Sequence, residues 1–372
     1  MGLTSTTVLS LSVLFALLLF VGTVWLWPRL SRRTWRAVGG RVGLLLSTQL
    51  ALFLSVGLSA NQAFGFYASW ADLFGRETEQ GVVVDHTANG APAGPLRVVD
   101  TRRVDGGGRP RYGGQIEKVV LDGATTHIAT PAYVYLPPEY FDPENRTRTF
   151  PAAVVLTGYP GTAEALVDKL HYPRTARQLA RDGRMQPMIL VMLRPTVAPP
   201  RDTECVDIPG GPQTESFFAK DLPDAVTAHY RVGKKPGSWG VIGDSTGGYC
   251  ALKLAMHHPE VYAAGAGLSA YYKAPTDPTT GDLFHGNDTL RLEADLHWYL
   301  KNRSAPDTSL LVTSSKVGES NYRATLKFID LAKATNTTGI SSIILESGGH
   351  NFNTWRREIP PTLQWISGRL SN

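Results

Sequence analysis

From about residue 116 to the C-terminus, short apolar segments of strand length alternate with segments that have a helical pattern of apolar residues. Two of the apolar segments, PAAVVLTGYPG and MQPMILVMLRP, are continuous, which is typical of parallel strands buried on both faces of a sheet. QIEKVVL and HIATPAYVYLPPEYF alternate instead and are expected to pair antiparallel at a sheet edge. Strands that alternate with helices predict an α/β fold with a mostly parallel, doubly wound sheet. We therefore assign residues 116–372 to one α/β domain.

Two long uncharged segments precede this domain. Residues 1–28 and 42–70 contain no Asp, Glu, Lys or Arg, and each segment is long enough to cross the hydrocarbon core of a bilayer. Between them lie five arginines and no acidic residue, which is typical of a cytoplasmic loop. The sequence thus predicts a membrane anchor over residues 1–75, with transmembrane helices at about 7–27 and 42–60 and a cytoplasmic loop over 28–41.

The second uncharged segment has an alternative interpretation as a cleaved signal peptide. The arginines would then form its basic n-region and Leu58-Ser59-Ala60 its cleavage site, but the first apolar segment would have no role. Under both interpretations, everything after about residue 75 is expected in an extracytoplasmic space. Residues 76–115 are rich in Gly, Pro, Arg and Asp and are predicted to be a linker that leads into an irregular edge segment.

Charge and cysteine content exclude several classes of protein. The net charge of +5 is modest, and much of the excess lies in the N-terminal arginine cluster, so no nucleic-acid partner is predicted. Two cysteines cannot supply a disulfide framework or a four-thiolate metal site. Cys205 and Cys250 could pair in an oxidising compartment or remain two buried thiols, because sequence separation does not give the distance between Cα atoms.

The segment GVIGDSTGGYC, residues 240–250, places four glycines around Ser245. It follows a predicted strand and precedes a predicted helix, which is the context of a nucleophile elbow with the pattern G-x-S-x-G. Gly243 and Gly247 leave room for the chain to fold back at a strained turn, and the helix N-terminus directs free N–H groups toward a developing oxyanion. We predict that Ser245 is a nucleophile.

A serine hydroxyl needs a base, and the base in turn needs a group that orients it. His350 follows the strand-like segment SSIILE near the C-terminus, at the sheet edge where catalytic loops gather. Glu319 follows the preceding strand, TSLLVTSSKVG, and completes the chain order Ser, acid, His of the α/β hydrolases. Other carboxylates remain as alternatives for the acid, and these are Asp277, Asp282, Asp288 and Asp307.

An oxyanion hole requires two hydrogen-bond donors. The first prediction is the backbone N–H of Thr246, the residue after the nucleophile. The second donor is expected in the turn after the strand PAAVVL, where the N–H of Tyr159 is preferred and that of Gly158 is the alternative.

With these residues, the sequence resembles the esterase family that includes esterase D, the feruloyl esterases and the secreted mycolyltransferases of the antigen 85 type. The resemblance is carried by AYVYLPPEYFDPENRTRTFPAAVVLTGYPG, GVIGDSTGGYCALKLAMHHPEVYAAGAGLSA and GGHNFNTWRREIPPTLQWIS, and it covers the chain from about residue 130 to the end. It implies an α/β-hydrolase fold, no metal or other cofactor, and an acyl-enzyme mechanism on carboxylic esters. It also implies a Ser245–Glu319–His350 triad and oxyanion donors at Tyr159 and Thr246.

The sequence departs from the family pattern at two positions. Many relatives carry an acidic residue or histidine where this chain has Thr157, and methionine commonly follows the nucleophile where this chain has Thr246. The first departure leaves specificity for a sugar acceptor open, whereas the second leaves the backbone donor intact. The doubled N-terminal anchor resembles that of membrane-tethered actinobacterial members.

The sequence therefore predicts a membrane-anchored, extracytoplasmic serine esterase with an acyl-ester substrate, for which a lipid or glycolipid is a candidate. One alternative is an acyltransferase that moves the acyl chain onto a sugar or lipid acceptor. Another is a peptidase, which would need a recognition domain that the sequence does not show. A third is a non-catalytic envelope protein with a hydrolase fold, which a complete triad in chain order disfavours.

Overall fold

The computed structural model describes residues 6–32, 34–64, 94–104, 109–199, 201–335 and 337–371. The chain divides into two compact units, Met1–Gln80 and Gly81–Asn372. The predicted boundary at residue 75 and most of the predicted linker lie outside the described residues.

The N-terminal unit contains two long apolar helices, α1 (Thr6–Leu26) and α2 (Trp35–Phe64), with a 3₁₀ helix at Trp27–Leu30 between them. Both helices are long and apolar enough to cross a membrane, and most of their large apolar side chains are exposed. The hydroxyls of Thr23 and Thr48 are 2.9 Å apart and form a buried hydrogen bond between the helices. Length and composition therefore agree with the two predicted spans.

Helix α2 begins earlier than the sequence predicted. Residues 28–41 were expected to form a loop, whereas α2 starts at Trp35 and includes Arg36 and Arg41. Apolar content marks the part of a helix that fits a bilayer, but arginine and alanine are also good helix formers and extend it beyond that part. At 1.5 Å per residue, a helix of 30 residues is about 45 Å long and exceeds a hydrocarbon core of about 30 Å.

The C-terminal unit alternates strands and helices. The strands are β1 (Leu96–Arg103), β2 (Gln115–Asp122), β3 (Ala129–Leu136), β4 (Ala152–Leu156), β5 (Ile189–Leu193), β6 (Trp239–Asp244), β7 (Ala264–Leu268), β8 (Ser309–Val317) and β9 (Gly339–Ser347). The helices are α3 (Pro110–Gly113), α4 (Ala163–Asp168), α5 (Tyr172–Arg181), α6 (Thr214–Ser216), α7 (Leu222–His229), α8 (Thr246–His257), α9 (Asp288–Glu293), α10 (Leu296–Asn302), α11 (Tyr322–Lys333) and α12 (Phe352–Ser367). Short 3₁₀ or π segments lie at Pro138–Phe141, Pro143–Asn145, Phe217–Asp221 and Pro236–Ser238.

The strands form one sheet in the order β1-β2-β3-β5-β4-β6-β7-β8-β9. The pairs from β1 to β5 along one edge are antiparallel, and all the other pairs are parallel. Strands β4, β5, β6 and β7 are buried along their whole length, as the continuous apolar sequences of β4 and β5 predicted. The predicted mostly parallel α/β sheet is confirmed.

Strand β1 lies within residues 76–115, which were predicted to be a linker and an irregular edge segment. It pairs antiparallel with β2, with an irregularity between Val98 and Asp100, and only Leu96 among its residues is buried. An exposed edge strand of this kind has no alternation of apolar and polar residues, so its sequence gives no strand signal. The edge segment therefore contributes a regular antiparallel strand to the sheet.

Helices cover both faces of the sheet, and adjacent strand residues contribute to opposite faces. In β4, Val154 packs in the cluster that includes Leu252 of α8 and Phe328 of α11. Its neighbour Val155 packs in the other cluster, which includes Leu363 of α12. This alternation follows from the two-residue period of a strand. Because β4, β6, β7, β8 and β9 pair in parallel, the carboxyl ends of β4, β6, β8 and β9 lie at one rim of the sheet.

A buried ion pair attaches α8 to the chain that precedes α7. The Nζ of Lys253, a side chain that is 1% exposed, donates to Oε2 of Glu215 at 2.6 Å and to the carbonyl oxygen of Cys205 at 2.6 Å. His257 and His258, at the C-terminal end of this helix, also contact the Glu215 carboxylate. Burial acts to raise the pKa of Glu215, but Lys253 and the two histidines hold that pKa well below its usual value. The carboxylate is therefore ionised and paired inside the protein.

Cys205 and Cys250 form a disulfide, with their Cα atoms 5.7 Å apart. The sequence had left a disulfide and two free thiols as equal alternatives. Cys250 lies in the second turn of α8, so the bond ties the segment that follows β5 to the helix that follows Ser245. Both ends of this connection are fully buried.

Replacing both cysteines with alanine is expected to lower the free energy of unfolding by about 4 kcal/mol, because the bond restrains a long loop in the unfolded chain. The two residues are 45 positions apart in the sequence. Denaturant unfolding of the full chain in a mild detergent measures the change, and reduced wild-type protein should behave like the double variant. Alkylation of two thiols in unreduced wild-type protein would contradict the pairing.

Candidate active site

Ser245 lies at the turn between β6 and α8. Its backbone has φ 54° and ψ −120°, a conformation that non-glycine residues rarely adopt. This conformation costs free energy and persists only where the surrounding structure imposes it. The Ser245 N–H donates to the carbonyl oxygen of Leu268 at 3.0 Å, and its carbonyl oxygen accepts from Tyr249 N–H at 3.0 Å. The strained turn is thus held from the neighbouring strand and from the helix.

The glycines on either side of Ser245 are required by close backbone contacts. A Cβ on Gly243 would lie 2.1 Å from the carbonyl oxygen of Gly247, and a Cβ on Gly247 would lie 2.4 Å from that of Leu156. These contacts are with backbone atoms, which cannot move aside as a flexible side chain can. Only glycine fits at either position, as expected for a nucleophile elbow.

His350 lies in the loop between β9 and α12 and contacts the serine. Its Nε2 is 2.8 Å from Oγ of Ser245, which is hydrogen-bond distance. The imidazole also packs edge-on against the ring of Trp355, with ring centroids 5.2 Å apart, and Trp355 Nε1 donates to Oγ of Ser269 at 2.9 Å. The His350 side chain is 51% exposed, so one side of the ring is in solvent while the other is packed.

Glu319 lies after β8 and contacts the opposite side of the same imidazole. Its Oε1 is 3.9 Å from Nδ1 of His350, and its side chain is 2% exposed. This is ion-pair distance, about 1 Å longer than a hydrogen bond, and such contacts often shorten only when substrate is bound. Neither carboxylate oxygen has a hydrogen-bond partner among the described residues.

The four alternative carboxylates are exposed, and three of them make contacts with residues close in sequence. Asp277 accepts hydrogen bonds from Thr279, and Asp282 accepts from the backbone of Phe284 and His285. Asp288 pairs with Arg291, and Asp307 is exposed. Within the described part of the chain, the ion-pair contact of His350 is with Glu319.

Partial burial lowers the pKa of His350 below the usual value of 6.5, while the Glu319 carboxylate acts to raise it. A general base must be neutral, so kcat/KM for a soluble ester is expected to rise with pH through an inflection below 6.5. Removing the negative charge of Glu319 should move this inflection to still lower pH. A pH profile of kcat/KM measures both positions, and a rising limb centred above pH 7 would contradict the assignment of the base.

The two predicted oxyanion donors belong to the helix that follows Ser245 and to the turn that follows β4. Thr246 is the first residue of α8, and the N–H groups of a first helical turn have no acceptor within the helix. Tyr159 lies in the turn after β4, which is closed by a 2.8 Å hydrogen bond from Gly161 N–H to the carbonyl oxygen of Gly158. The N–H of Gly158, the alternative donor, is already bonded to Oδ2 of Asp244 at 2.9 Å.

Sequence reasoning gave no role to two buried carboxyl groups, those of Asp244 and Glu358. Asp244 is 1% exposed and Glu358 is fully buried, and Oε2 of Glu358 accepts from Thr313 Oγ1 at 2.8 Å. Burial raises the pKa of Asp244 to about 7 and that of Glu358 to about 8. The only sequence signal was a charged residue at the end of a strand that is otherwise buried. No cluster of three or more His, Cys, Asp or Glu suited to a metal ion occurs within the described ranges.

The sheet order and the turn at Ser245 define the α/β-hydrolase fold, and comparison with known proteins places the chain among the serine hydrolases. The profile of the Esterase family matches residues 124–366, which is more than half of the chain. The chain therefore belongs to the Esterase family, as the sequence resemblance predicted.

One curated relative is an uncharacterized protein from Corynebacterium glutamicum. It is 27% identical over 274 residues, and the alignment covers 69% of this chain and 62% of the relative. This chain thus spans less than two thirds of the length of that relative.

Solved structures of esterases share the fold at low sequence identity. A ferulic acid esterase is 16% identical, with a TM-score of 0.59 over 69% of this chain and 98% of the other. An S-formylglutathione hydrolase from Agrobacterium tumefaciens is 17% identical, with a TM-score of 0.56 over 70% and 97% of the respective chains. The fluorophosphonate-binding serine hydrolase F of Staphylococcus aureus is also 17% identical, with a TM-score of 0.55 over 68% and 98%.

Proposed function

We propose that the chain hydrolyses carboxylic esters through an acyl-enzyme intermediate on Ser245, with His350 as general base and Glu319 as the acid that orients it. The observation that carries this proposal is the 2.8 Å contact between Ser245 Oγ and His350 Nε2. A serine hydroxyl within hydrogen-bond reach of an imidazole can transfer its proton as it attacks a carbonyl carbon. The strained backbone of Ser245 presents this hydroxyl at the rim of the sheet.

The proposed cycle has two halves that mirror each other. Ser245 attacks the ester carbonyl while its proton moves to His350, and the resulting imidazolium then protonates the departing alcohol. Water next attacks the acyl-enzyme, loses its proton to His350, and releases the carboxylic acid as that proton returns to Ser245. Glu319, buried 3.9 Å from the imidazole, stabilises its positive charge in both halves. The N–H groups of Thr246 and Tyr159 are the proposed donors to the tetrahedral oxyanion.

We further propose that α1 and α2 anchor the protein in a membrane and that the esterase unit lies outside the cytoplasm. Two apolar helices of sufficient length support the anchor. The arginines between these helices and at the start of α2 support a cytoplasmic location for the connection. The disulfide supports an oxidising compartment for the C-terminal unit. An acylated lipid or glycolipid of the surrounding envelope is the proposed class of substrate.

Hydrolysis is favoured over acyl transfer because water reaches the site. The His350 imidazole is half exposed, so the acyl-enzyme would face solvent next to the base that activates the attacking group. Transfer to a sugar or lipid alcohol is the second candidate, and the open site supports it too, since an alcohol acceptor would approach by the same route. The two candidates differ only in the nucleophile of the second half-reaction.

A panel of acyl esters that vary in chain length, offered with and without sugar or lipid alcohols, tests this function. The full chain in mild detergent should release carboxylic acid from at least one ester, and added alcohols should not divert the acyl group into a new ester. The S245A variant is the control for each substrate. A transfer product that dominates over free acid would assign the second candidate, and release of acid that S245A retains would refute both.

A further inference from the structure

Asp244 is the last residue of β6, directly before the nucleophile, and it is almost fully buried, with 1% of its surface exposed. Its Oδ2 accepts the backbone N–H of Gly158 at 2.9 Å, a contact between residues 86 positions apart. Strands β4 and β6 are parallel neighbours, with Leu156 opposite Gly243. The hydrogen bond thus links the residues that follow β4 to the last residue of β6, next to the last paired residues of these two strands.

The turn that Asp244 holds, residues 157–161, lies against the serine. A Cβ built on Gly158 would be 2.9 Å from Cβ of Ser245, closer than real side chains approach. The turn is closed by the Gly161 N–H bond to the Gly158 carbonyl oxygen, and Thr157 is buried at its start. A shift of Gly158 would therefore move the whole turn relative to the nucleophile.

We propose that Asp244 is a positioning residue, which fixes the 157–161 turn so that its next N–H, that of Tyr159, faces the oxyanion formed at Ser245. This inference rests on the proposed function. The bond from the Gly158 N–H to the carboxylate fixes the position of the peptide that follows it, which carries the N–H of Tyr159. Oxyanion donors contribute most when the protein holds them in place before the reaction, so the residue that holds the turn affects the transition state without touching substrate.

The geometry assigns this role to one oxygen atom of the side chain. Oδ2 makes the bond to Gly158, whereas Oδ1 is buried and has no hydrogen-bond partner within the described residues. Asparagine has the same shape and keeps an acceptor oxygen, so it can retain the bond to Gly158. Leucine has a similar volume but no acceptor, so it leaves the Gly158 N–H unsatisfied and the turn unrestrained.

The test compares D244L and D244N in the full chain with a soluble short-chain ester. D244L is expected to lower kcat by about 10²–10³-fold, the usual effect of losing one oxyanion donor, with KM changed by less than about threefold, because the ground-state ester makes little use of the donor. D244N is expected to keep kcat within about fivefold of wild type, since it retains the acceptor. Recovery by asparagine separates a positioning role from a general disturbance of packing.

D221N is the matched control, because it also changes a buried carboxyl that accepts a backbone N–H, but the hydrogen bonds of Asp221 are with Thr125 and Thr126 rather than with the turn. It should leave kcat near that of wild type, and thermal unfolding of every variant checks that it is folded. A folded D244L with the kcat of D244N would overturn the proposal. A D244N with a hundredfold lower kcat would overturn it as well, even if D244L does not fold. Absence of any turnover by wild type that depends on Ser245 would instead refute the proposed function.

Discussion

Replacing Ser245 with alanine is expected to abolish both labelling by a fluorophosphonate probe and ester hydrolysis. The residue is the only proposed nucleophile, and its hydroxyl lies 2.8 Å from His350 Nε2, so no other group can form the acyl-enzyme at this position. Loss of a triad member lowers kcat by about 10⁴-fold or more, and the remaining activity comes from substrate binding and the oxyanion donors. In-gel fluorescence and hydrolysis of a chromogenic ester measure the two effects.

An exposed serine provides the control for this experiment. Ser304, in the loop that precedes β8, is exposed, and S304A should label and turn over ester like wild type. Labelling that persists in S245A would show that the reactive serine lies elsewhere, and the assignment of the elbow would then be wrong.

Replacing Glu319 with glutamine is expected to lower kcat by as much as about 10⁴-fold, the effect of neutralising the acid of a serine triad. The buried carboxylate lies 3.9 Å from His350 Nδ1 and supplies the negative charge that stabilises the imidazolium. Glutamine keeps the shape but not the charge, and its amide can also favour the wrong tautomer of the imidazole. Stability should change little, because neither carboxylate oxygen has a hydrogen-bond partner to lose within the described residues.

The matched control is E346Q, on the neighbouring strand β9. Glu346 is exposed and pairs with Lys316 at 2.6 Å, so its neutralisation should change kcat very little. The pH profile of E319Q adds a second readout, because its inflection should lie below that of wild type. Wild-type turnover by E319Q would move the role of the acid to Asp307 or to the aspartates after β7.

The sequence order of the three proposed catalytic residues could be predicted because each of them lies just after a strand with a clear apolar signal. The segments around β6, β8 and β9 are apolar enough to be identified, and parallel strands bring their carboxyl ends to one rim. Ser245, Glu319 and His350 could therefore be placed near one another without any contact information. The same logic fails for β1, whose exposed residues carry no periodic signal.

Contacts between distant residues were beyond prediction from the sequence. Asp244 could be seen next to Ser245, but its bond to Gly158 depends on how β4 and β6 align. The pairing of Cys205 with Cys250 likewise depends on a Cα separation of 5.7 Å that no spacing reveals. The start of α2 was misplaced for a different reason, because hydropathy reports the environment of a helix rather than its ends.

The half-exposed imidazole of His350 has a consequence for the size of molecule that can be processed. Ser245 is itself only partly buried, so the reacting bond meets its nucleophile at the surface rather than at the bottom of a tunnel. An ester that projects from a large, immobile matrix can therefore be cut while most of that matrix stays outside the protein.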